Sequence, residues 1–328
     1  MLFSTEPKRS LKDLFDREEE VKKLRDSLNE RMILLLGLRR IGKSSLVLST
    51  LNSTDINAIF VDVRKVFDNM SRKVQAEKLY EEIYSSLLAL SRKERVKDIL
   101  LRLGFSLEYP VKINFSIGET RSNINRIFEA LNELGKVVVV FDEAQYLRYS
   151  TIGLRPILAH CYDYMEGITL VFTGSEVGLL HDFLGIDDPS SELYGRYYTS
   201  IKLKPFDGEK SKEFLRRGFD ELQVKVDELT LERAVSELDG ITGWLVYFGK
   251  LYPEKGDDAL EEVKSLGAKM VKRELDEAFS KSPYYVFMMK AIATLGKARW
   301  KNVLNYVVAQ VGKRVTNATI SRDLRNLL

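Results

Sequence analysis

The sequence predicts an α/β fold built on a parallel sheet, and three observations support this prediction. Segments typical of strands alternate with segments typical of helices over roughly the first 205 residues. A glycine-rich loop follows one apolar run and a pair of acids ends another, as at the carboxyl edge of a parallel sheet. Beyond Pro205 the pattern is helical almost throughout, with a further break at 280–285. We therefore expect an α/β core over 1–205, a helical lid over 206–280 and a separate segment over 281–328.

The individual elements follow from hydrophobic periodicity and from capping residues. Residues 14–30 have the pattern of an amphipathic helix, with Asp16 placed to cap it. The apolar run "MILLLG" predicts a strand buried on both faces, followed by a helix in "KSSLVLSTL". Residues 111–118 alternate apolar and polar side chains, which leaves an exposed hairpin and an edge strand as alternatives. Further strands are expected in "AIFVDVR", "KVVVVFDEAQYL", "ITLVFTGSE" and "YTSIKLKPF", and further helices in "AEKLYEEIYSSLLAL" and "RSNINRIFEALNEL".

The composition describes a globular protein and excludes several functional classes. Of 328 residues, 45% are hydrophobic and 30% are charged, which is typical of folded soluble domains. No apolar run reaches the ~18 residues of a spanning helix, so we expect a cytoplasmic protein without a membrane partner. A single cysteine, Cys161, excludes an intramolecular disulfide, and the presence of only two histidines argues against zinc. We expect Cys161 to be a buried thiol and not a nucleophile.

Charge is distributed unevenly along the chain. The formal net charge is +3, yet residues 281–328 carry nine basic side chains and a single acid, Asp323. The remainder of the chain is therefore mildly acidic. A basic segment attached to an acidic body indicates a partner of its own, and nucleic acid is the first candidate.

Residues 37–44, "GLRRIGKS", fit the pattern G-x-x-x-x-G-K-[ST] and are called the phosphate loop below. The glycines let backbone N–H groups surround phosphate oxygens, Lys43 would bridge the β- and γ-phosphates, and Ser44 would offer a hydroxyl to Mg²⁺. The position between an apolar strand and the start of a helix strengthens the match. Nucleotide contact is predicted for Gly37, Leu38, Arg39, Arg40, Ile41, Gly42, Lys43, Ser44 and Ser45.

The second half of the site follows the apolar run "VVVVF". This strand delivers Asp142 and Glu143 to the carboxyl edge of the sheet, where ligands of open α/β sheets bind. We expect Asp142 to hold Mg²⁺, directly or through water, and Glu143 to polarise the attacking water. An acid pair after a strand is common, but together with the phosphate loop it predicts nucleotide hydrolysis. No N-K-x-D motif occurs, so ATP is favoured over GTP.

Five segments, in order "DREEEVKKL", "GLRRIGKSSL", "FDEAQYL", "FTGSEVGLL" and "LYGRYY", resemble the archaeal ATPase family of P-loop NTPases, which is related to the STAND and AAA+ ATPases. The resemblance covers about residues 11–250 and depends on the ordered set of motifs. It implies a sheet order of 5-1-4-3-2. The strand ending at Thr173 would then lie between the strand before the phosphate loop and the strand before the acids.

Further assignments rest on this resemblance. Thr173 or Ser175 would sense the γ-phosphate, with a helix N-cap as the alternative for Ser175. Arg196 matches an arginine that approaches the γ-phosphate in relatives, where it would stabilise transition-state charge in cis or in trans. A plain surface role is the alternative for Arg196. Asp16 and Arg17 match the family's entry motif near the adenine pocket, where they would cap a helix and brace a loop.

The sequence departs from the family pattern in the lid. Relatives often carry Gly-x-Pro where this chain has "GITGW" at residues 240–244, and no lid sensor arginine of the AAA+ type is identifiable. A standard hexameric AAA+ motor is therefore not favoured. Arg39 and Arg40 recur as a doublet in the family. Screening of phosphates, contact with a partner's acids, sensing of the lid and simple exposure to solvent all remain open for them.

The C-terminal segment predicts three helices with short connections. The third, from about Thr316, has Ile320, Leu324 and Leu327 on one face and Thr316 or Asn317 as its cap. This pattern resembles the helix-turn-helix core of a winged-helix domain without its wing, a domain that binds DNA or packs on protein. Arg322 and Arg325 are expected to contact DNA phosphates or base edges, and Lys313 and Arg314 the DNA backbone.

These observations favour one function and leave others open. We predict a Mg²⁺-dependent ATPase that acts as a conformational switch, in which ATP draws the lid and tail against the core and slow hydrolysis releases them. The process would be signalling or DNA-associated, with a protein client or DNA as partner. The alternative is a DNA-binding regulator or mobile-element factor for which ATP is mainly a ligand. A small-molecule kinase is disfavoured, because Glu143 suits the activation of water.

Overall fold

The computed structural model describes residues 1–90, 94–102, 104, 117–279, 282–296, 299–311 and 316–327. The chain divides into two units, Met1–Lys250 and Leu251–Leu328. The finer division expected from the sequence, with boundaries at 205 and 280, stays a prediction. None of the helices in the described ranges combines the length and the apolar run that crossing a membrane requires.

A five-stranded parallel sheet lies at the centre of the described part of the first unit. Its strands are β1 Met32–Leu36, β2 Asn57–Asp62, β5 Val137–Asp142, β6 Ile168–Gly174 and β7 Thr199–Lys202. Two short strands, β3 Phe67–Asp68 and β4 Lys73–Val74, form a separate antiparallel hairpin that the sequence did not predict. Every residue of β1, β5 and β6 is buried, as expected for strands covered on both faces.

The strands of the sheet lie side by side in the order β2-β5-β6-β1-β7. The labels differ from those of the expected order because β3 and β4, which lie between β2 and β5 in the chain, are not part of this sheet. Counted among the sheet's own five strands, the order is 5-1-4-3-2. The strand β6 pairs with β1 on one side and β5 on the other, so it lies between the strand that precedes the phosphate loop and the strand that precedes the acids.

Helices connect the strands and continue into the second unit. Asp207 and Asp227 cap two of them by accepting hydrogen bonds from the backbone N–H groups of Lys210 and Thr230. In the described residues the helices are α1 Glu18–Asp26, α2 Lys43–Asn52, α3 Val63–Val66, α4 Ala76–Leu90, α5 Glu94–Arg102, α6 Ile117–Glu133, α7 Arg155–Tyr164, α8 Val177–Leu184, α9 Gly208–Leu222, α10 Glu228–Leu238, α11 Thr242–Lys255, α12 Asp258–Phe279, α13 Tyr285–Leu295, α14 Trp300–Val311 and α15 Asn317–Leu327.

The sheet has an apolar core on each face, and the alternation of side chains along β1 divides between them. Leu34 packs into the larger core with residues of α4, α6 and α7. Ile33 and Leu35 pack into the other core with residues of α1 and α2. Burial on both faces fixes the register of β1 in the sheet. It therefore also fixes the position at which the phosphate loop follows β1.

Asp16 does not cap the first helix, so that prediction is wrong. The helix α1 begins at Glu18 after Arg17, and no side chain caps it. Asp16 has a backbone φ of 50°, and its carboxylate pairs with Lys210 of α9 at 2.7 Å. A carboxylate engaged by Lys210 in this way is turned from the N–H groups of the first turn. The hairpin or edge strand expected at 111–118 falls on 111–116, which lie outside the described residues, while Ile117 begins α6.

The three helices expected near the C-terminus are confirmed as α13, α14 and α15, and they share an apolar core that includes Met288, Val307 and Ile320. The hydroxyl of Thr316 accepts a hydrogen bond from the backbone N–H of Thr319, which makes Thr316 the cap of α15. The winged-helix assignment stays a prediction. Lys313, Arg314 and the side chains of Arg325 and Leu327 lie outside the described part of the chain.

An aromatic anchor joins the first residues of the chain to α9 and α11. Phe3 is only 2% exposed, and its ring lies 5.1 Å from the ring of Phe219 in an edge-on arrangement. Gly218 and Gly249 leave the space for this ring, because a β-carbon at either position would overlap Phe3. The first residues are therefore part of the fold of the first unit.

We expect Phe3→Ala to lower the free energy of unfolding by about 3 kcal/mol, because it removes a buried ring and leaves a cavity. Chemical denaturation measures the change, and Met70→Ala at a 97% exposed position serves as the control. Gly249→Ala should destabilise the wild type more than the Phe3→Ala variant, which has room for the added methyl group. Equal effects of Gly249→Ala in both backgrounds would contradict this packing.

Candidate functional site

The phosphate loop has a backbone that its two glycines make possible. Gly37 has a φ of 153° and Gly42 a φ of 100°, both in the region that favours glycine. A β-carbon on Gly37 would also lie 2.8 Å from the carbonyl oxygen of Leu203. These glycines let the chain turn sharply from β1 into α2, so that Lys43 begins the helix and the loop lies at the N-terminus of α2.

Lys43 lies at the base of the loop with its ammonium group buried. Its Nζ donates to the carbonyl oxygens of Gly37 at 3.0 Å and Leu38 at 3.1 Å, and it lies 3.9 Å from Oε1 of Glu143. Burial lowers the pKa of Lys43, while the carboxylates of Glu143 and Asp142 act in the opposite direction. The lysine is therefore a buried cation beside two buried carboxylates.

Asp142 joins the two halves of the site. Its Oδ2 accepts from the hydroxyl of Ser44 at 2.8 Å, and its Oδ1 accepts from the hydroxyl of Thr173 at 2.5 Å. Burial raises the pKa of Asp142, although both hydroxyl hydrogen bonds favour the charged form. The structure thus brings the predicted metal residues, Ser44 and Asp142, into direct contact.

Glu143 follows the strand in an unusual backbone conformation, with a φ of 53°. Its Oε2 accepts from Gln145 Nε2 and from the hydroxyl of Ser175, both at 2.7 Å. Burial pushes the pKa of Glu143 upward, but the charge of Lys43 and these two hydrogen bonds outweigh it, so the pKa lies below its ordinary value. Glu143 is therefore held as a carboxylate.

Thr173 and Ser175 both contact the acids. Besides donating to Asp142, Thr173 accepts a hydrogen bond from the backbone N–H of Glu143 at 3.0 Å. The alternative of Ser175 as a helix cap is wrong, because Glu176 occupies that position before α8 and no side chain caps the helix. The hydroxyl of Ser175 is instead directed to Glu143.

Two residues near these acids were missed in the sequence. Gln145 is 2% exposed and lies between Glu143 and Ser175. Arg64, at the start of α3, lies close enough to lower the pKa of both Lys43 and Glu143. The sequence offered two signals that could have identified them. Gln145 is a polar residue two positions after the acid pair, and Arg64 is a basic residue two positions after the end of β2.

The rest of the phosphate loop has mixed surroundings. Leu38 is 52% exposed at the tip, whereas Ile41 is buried in the core beneath the loop. Arg39 is half-buried, and its charge lowers the pKa of Lys43. The hydroxyl of Ser45 accepts a hydrogen bond from the backbone N–H of Lys8 at 3.0 Å. Ser45 therefore contacts the first residues of the chain.

Arg40 connects the loop with the start of α11. Its carbonyl oxygen accepts from the backbone N–H of Gly243 at 2.8 Å, and its guanidinium carbon lies 4.3 Å from the ring centroid of Trp244. A β-carbon on Gly243 would lie 2.7 Å from Cβ of Arg40, so glycine is needed for this approach. Arg40 therefore contacts the segment expected to form the lid, but its side chain is also exposed, so the alternatives given for it stay predictions.

Asp16 and Arg17 brace the segment before α1. The guanidinium of Arg17 donates to the carbonyl oxygen of Lys204 at 2.9 Å, lies over the ring of Phe206 at 4.4 Å and pairs with Glu20. Asp16 pairs with Lys210, as described above. Both residues therefore join α1 to the segment after β7, and their predicted role near adenine stays a prediction.

Arg196 lies in a different set of contacts. Its guanidinium makes two hydrogen bonds with the carboxylate of Asp163, at 2.9 Å and 2.6 Å, and donates to the carbonyl oxygen of Glu192. It also lies 5.8 Å from the ring centroid of Tyr162. None of these described contacts reaches the phosphate loop or the acids, so the predicted catalytic role of Arg196 stays a prediction.

Other chemistry finds no support in the described residues. No group of three or more His, Cys, Asp or Glu side chains among them is arranged to hold a metal ion. Cys161 is buried, and burial raises the pKa of its thiol to about 12. A thiol with this pKa is protonated at neutral pH, so Cys161 is not a nucleophile.

Comparisons with known proteins agree with this geometry. Residues 14–248 match the family described as "ATPase domain predominantly from Archaea". The Walker-type ATPase PABY2304 of Pyrococcus abyssi is 38% identical with a TM-score of 0.78, over 100% of this chain and 93% of that one. Domain III of the replication initiation protein DnaA of Thermotoga maritima is 13% identical, over 75% of this chain and 88% of that one. Its TM-score of 0.40 supports no statement about this chain.

No curated protein matches the chain. The family match spans well over half of the residues, and the Pyrococcus protein is similar over the full length. Both matches cover the phosphate loop and the acid pair. The chain is therefore an ATP-hydrolysing P-loop protein that belongs to the ATPase family found predominantly in Archaea.

Proposed function

We propose that the chain is a Mg²⁺-dependent ATPase that acts as a conformational switch. The observation that carries the proposal is the convergence of Lys43, Ser44, Asp142 and Glu143 within hydrogen-bonding or ion-pair distance at one edge of the sheet. Loop N–H groups and Lys43 would bind the β- and γ-phosphates, and the carboxylate of Glu143 would take a proton from the attacking water. We place the enzyme in the cytoplasm, in a signalling or DNA-associated process.

Mg²⁺ suits the oxygen atoms that converge here. The hydroxyl of Ser44 and the carboxylate of Asp142 already touch at 2.8 Å, and one carboxylate with a hydroxyl and phosphates is a donor set that this ion favours. Bound Mg²⁺ would neutralise phosphate charge. The cation would also favour the charged form of Asp142, whose pKa burial raises.

The contact between Arg40 and the start of α11 supports the proposed switch. Because the carbonyl oxygen of Arg40 bonds to the N–H of Gly243, and the Arg40 side chain stacks on Trp244, a change in the shape of the loop would be transmitted to α11. Thr173 contacts both acids and is suited to sense the γ-phosphate. Asp16 and Arg17 near the adenine, and Arg196 in cis or in trans, complete the proposed site.

Two substitutions test the hydrolytic site. Lys43→Ala should abolish measurable ATP binding, because the loop loses its phosphate-binding cation. Glu143→Gln should keep ATP bound but lower kcat by roughly 10²- to 10⁴-fold, since the base is lost. Isothermal titration and a phosphate-release assay measure these effects, with Glu129→Gln, an exposed position on α6, as the control. Hydrolysis by the Glu143→Gln variant at the wild-type rate would contradict the assignment of Glu143 as the base.

A single-tryptophan variant tests the switch. The chain has two tryptophans, so Trp300→Phe leaves Trp244 as the only indole. We expect ATP to change the emission of Trp244, because the indole stacks on Arg40, and we expect Arg40→Ala to abolish most of that change. Lys43→Ala is the control that should show no response. Emission that is unaffected by saturating ATP would contradict the coupling.

We propose DNA as a second partner, through residues 281–328. Two observations support it: nine basic side chains against one acid, and three helices with a shared core, in which Arg322 on α15 is 68% exposed. In this alternative the protein is a DNA-binding regulator or mobile-element factor. Duplex DNA should bind at low salt, with an affinity that falls as salt rises and is lost on deletion of residues 281–328. Absence of binding at low salt would exclude DNA and favour a protein client.

A further inference from the structure

The side chain of Gln145 forms a closed arrangement with the proposed base. Its Nε2 donates to Oε2 of Glu143 at 2.7 Å and to the hydroxyl oxygen of Ser175 at 3.2 Å. The hydroxyl of Ser175 donates to the same Oε2 at 2.7 Å. Two donors that also touch each other therefore hold one oxygen of the carboxylate. The other oxygen, Oε1, faces Lys43 at 3.9 Å.

The other end of the amide is buried without compensation. Oε1 of Gln145 has no hydrogen-bond partner among the described atoms, although the residue is 2% exposed. Rotation of the amide by 180° would direct this oxygen at the carboxylate of Glu143, which accepts hydrogen bonds and cannot donate one. The unpaired acceptor is therefore a consequence of holding Glu143. A buried acceptor without a partner destabilises the fold. Because Gln145 is present despite this cost, we look for its explanation in function.

Backbone geometry brings Gln145 to this place. The φ of 53° at Glu143 turns the chain after β5 into a 3₁₀ helix, Ala144–Tyr149, so that the side chain two positions later returns to the Glu143 carboxylate. Gly174 provides the space, because a β-carbon there would lie 3.3 Å from Oε1 of Gln145 and 2.9 Å from Leu180. The ends of β5 and β6 thus enclose the amide.

We infer that Gln145, together with Ser175, is a positioning residue for ATP hydrolysis, which fixes Oε2 of Glu143 and leaves Oε1 to face the attacking water. This inference rests on the proposed role of Glu143 as the base. Loss of either donor leaves the carboxylate of Glu143 less firmly held.

Gln145→Met separates positioning from stability. Methionine has a similar length and no hydrogen-bonding amide, so it frees Glu143 and also removes the unpaired acceptor. We expect kcat to fall by roughly 10- to 100-fold, with the KM for ATP within about twofold of wild type. The free energy of unfolding should be unchanged or higher.

Three further variants complete the test. Ser175→Ala should also lower kcat with little change in the KM for ATP, and its effect should be smaller in the Gln145→Met background, because the two donors act together. Gln75→Met, the same change at an exposed position, is the control for the substitution itself. Glu143→Gln tests the role of Glu143 as the base independently of the role of Gln145 as its positioning residue.

A kcat like that of the wild type in Gln145→Met, with Glu143→Gln inactive, would overturn the role of Gln145 alone. A loss of stability in Gln145→Met, with the kcat of the folded protein unchanged, would show a merely structural role and overturn it equally. Turnover by Glu143→Gln at the wild-type rate would overturn both the proposed base and its positioning residue.

Discussion

The site depends on the buried carboxylate of Asp142 and the two hydroxyls that hold it. A buried charge without donors is costly, and here Ser44 supplies one donor from α2 and Thr173 the other from β6. Because α2 begins at the phosphate loop, these two bonds join the loop, the strand β5 and the strand β6 at one point. The parallel pairing of β6 with β1 and β5 is what brings the three together.

Two adjacent carboxylates are given opposite environments at this point. Burial dominates at Asp142 and raises its pKa, whereas Lys43 and two hydrogen bonds lower that of Glu143. Such a separation is how one site assigns different tasks to identical groups. In the proposed mechanism Asp142 meets a cation, which would favour its charged form, and Glu143 takes a proton. Lys43 lies beside both acids and offsets part of their charge.

Local patterns in the sequence were sufficient to predict the five strands of the sheet, the phosphate loop and the acid pair. Apolar runs indicate the strands, and fixed spacing identifies the loop and the acids. The same patterns failed where a contact joins residues distant in the chain. Asp16 was expected to cap α1 but pairs with Lys210. The ion pair between Arg196 and Asp163 was not expected either, while the proposed role of Arg196 stays a prediction. Gln145 was missed because its position depends on the left-handed turn at Glu143, which no periodicity reports. Trp244 was noted only as a departure from a proline pattern, since its contact with Arg40 forms in the folded chain.

In the proposed switch, the bond between the Arg40 carbonyl and the Gly243 N–H couples the phosphate loop to the start of α11. Thermodynamic linkage is reciprocal, so if ATP binding changes the position of Trp244, a change in the position of Trp244 would alter the affinity for ATP by the same factor. A ligand or protein that binds the indole of Trp244 and separates it from Arg40 would then change the affinity for ATP without contacting the nucleotide.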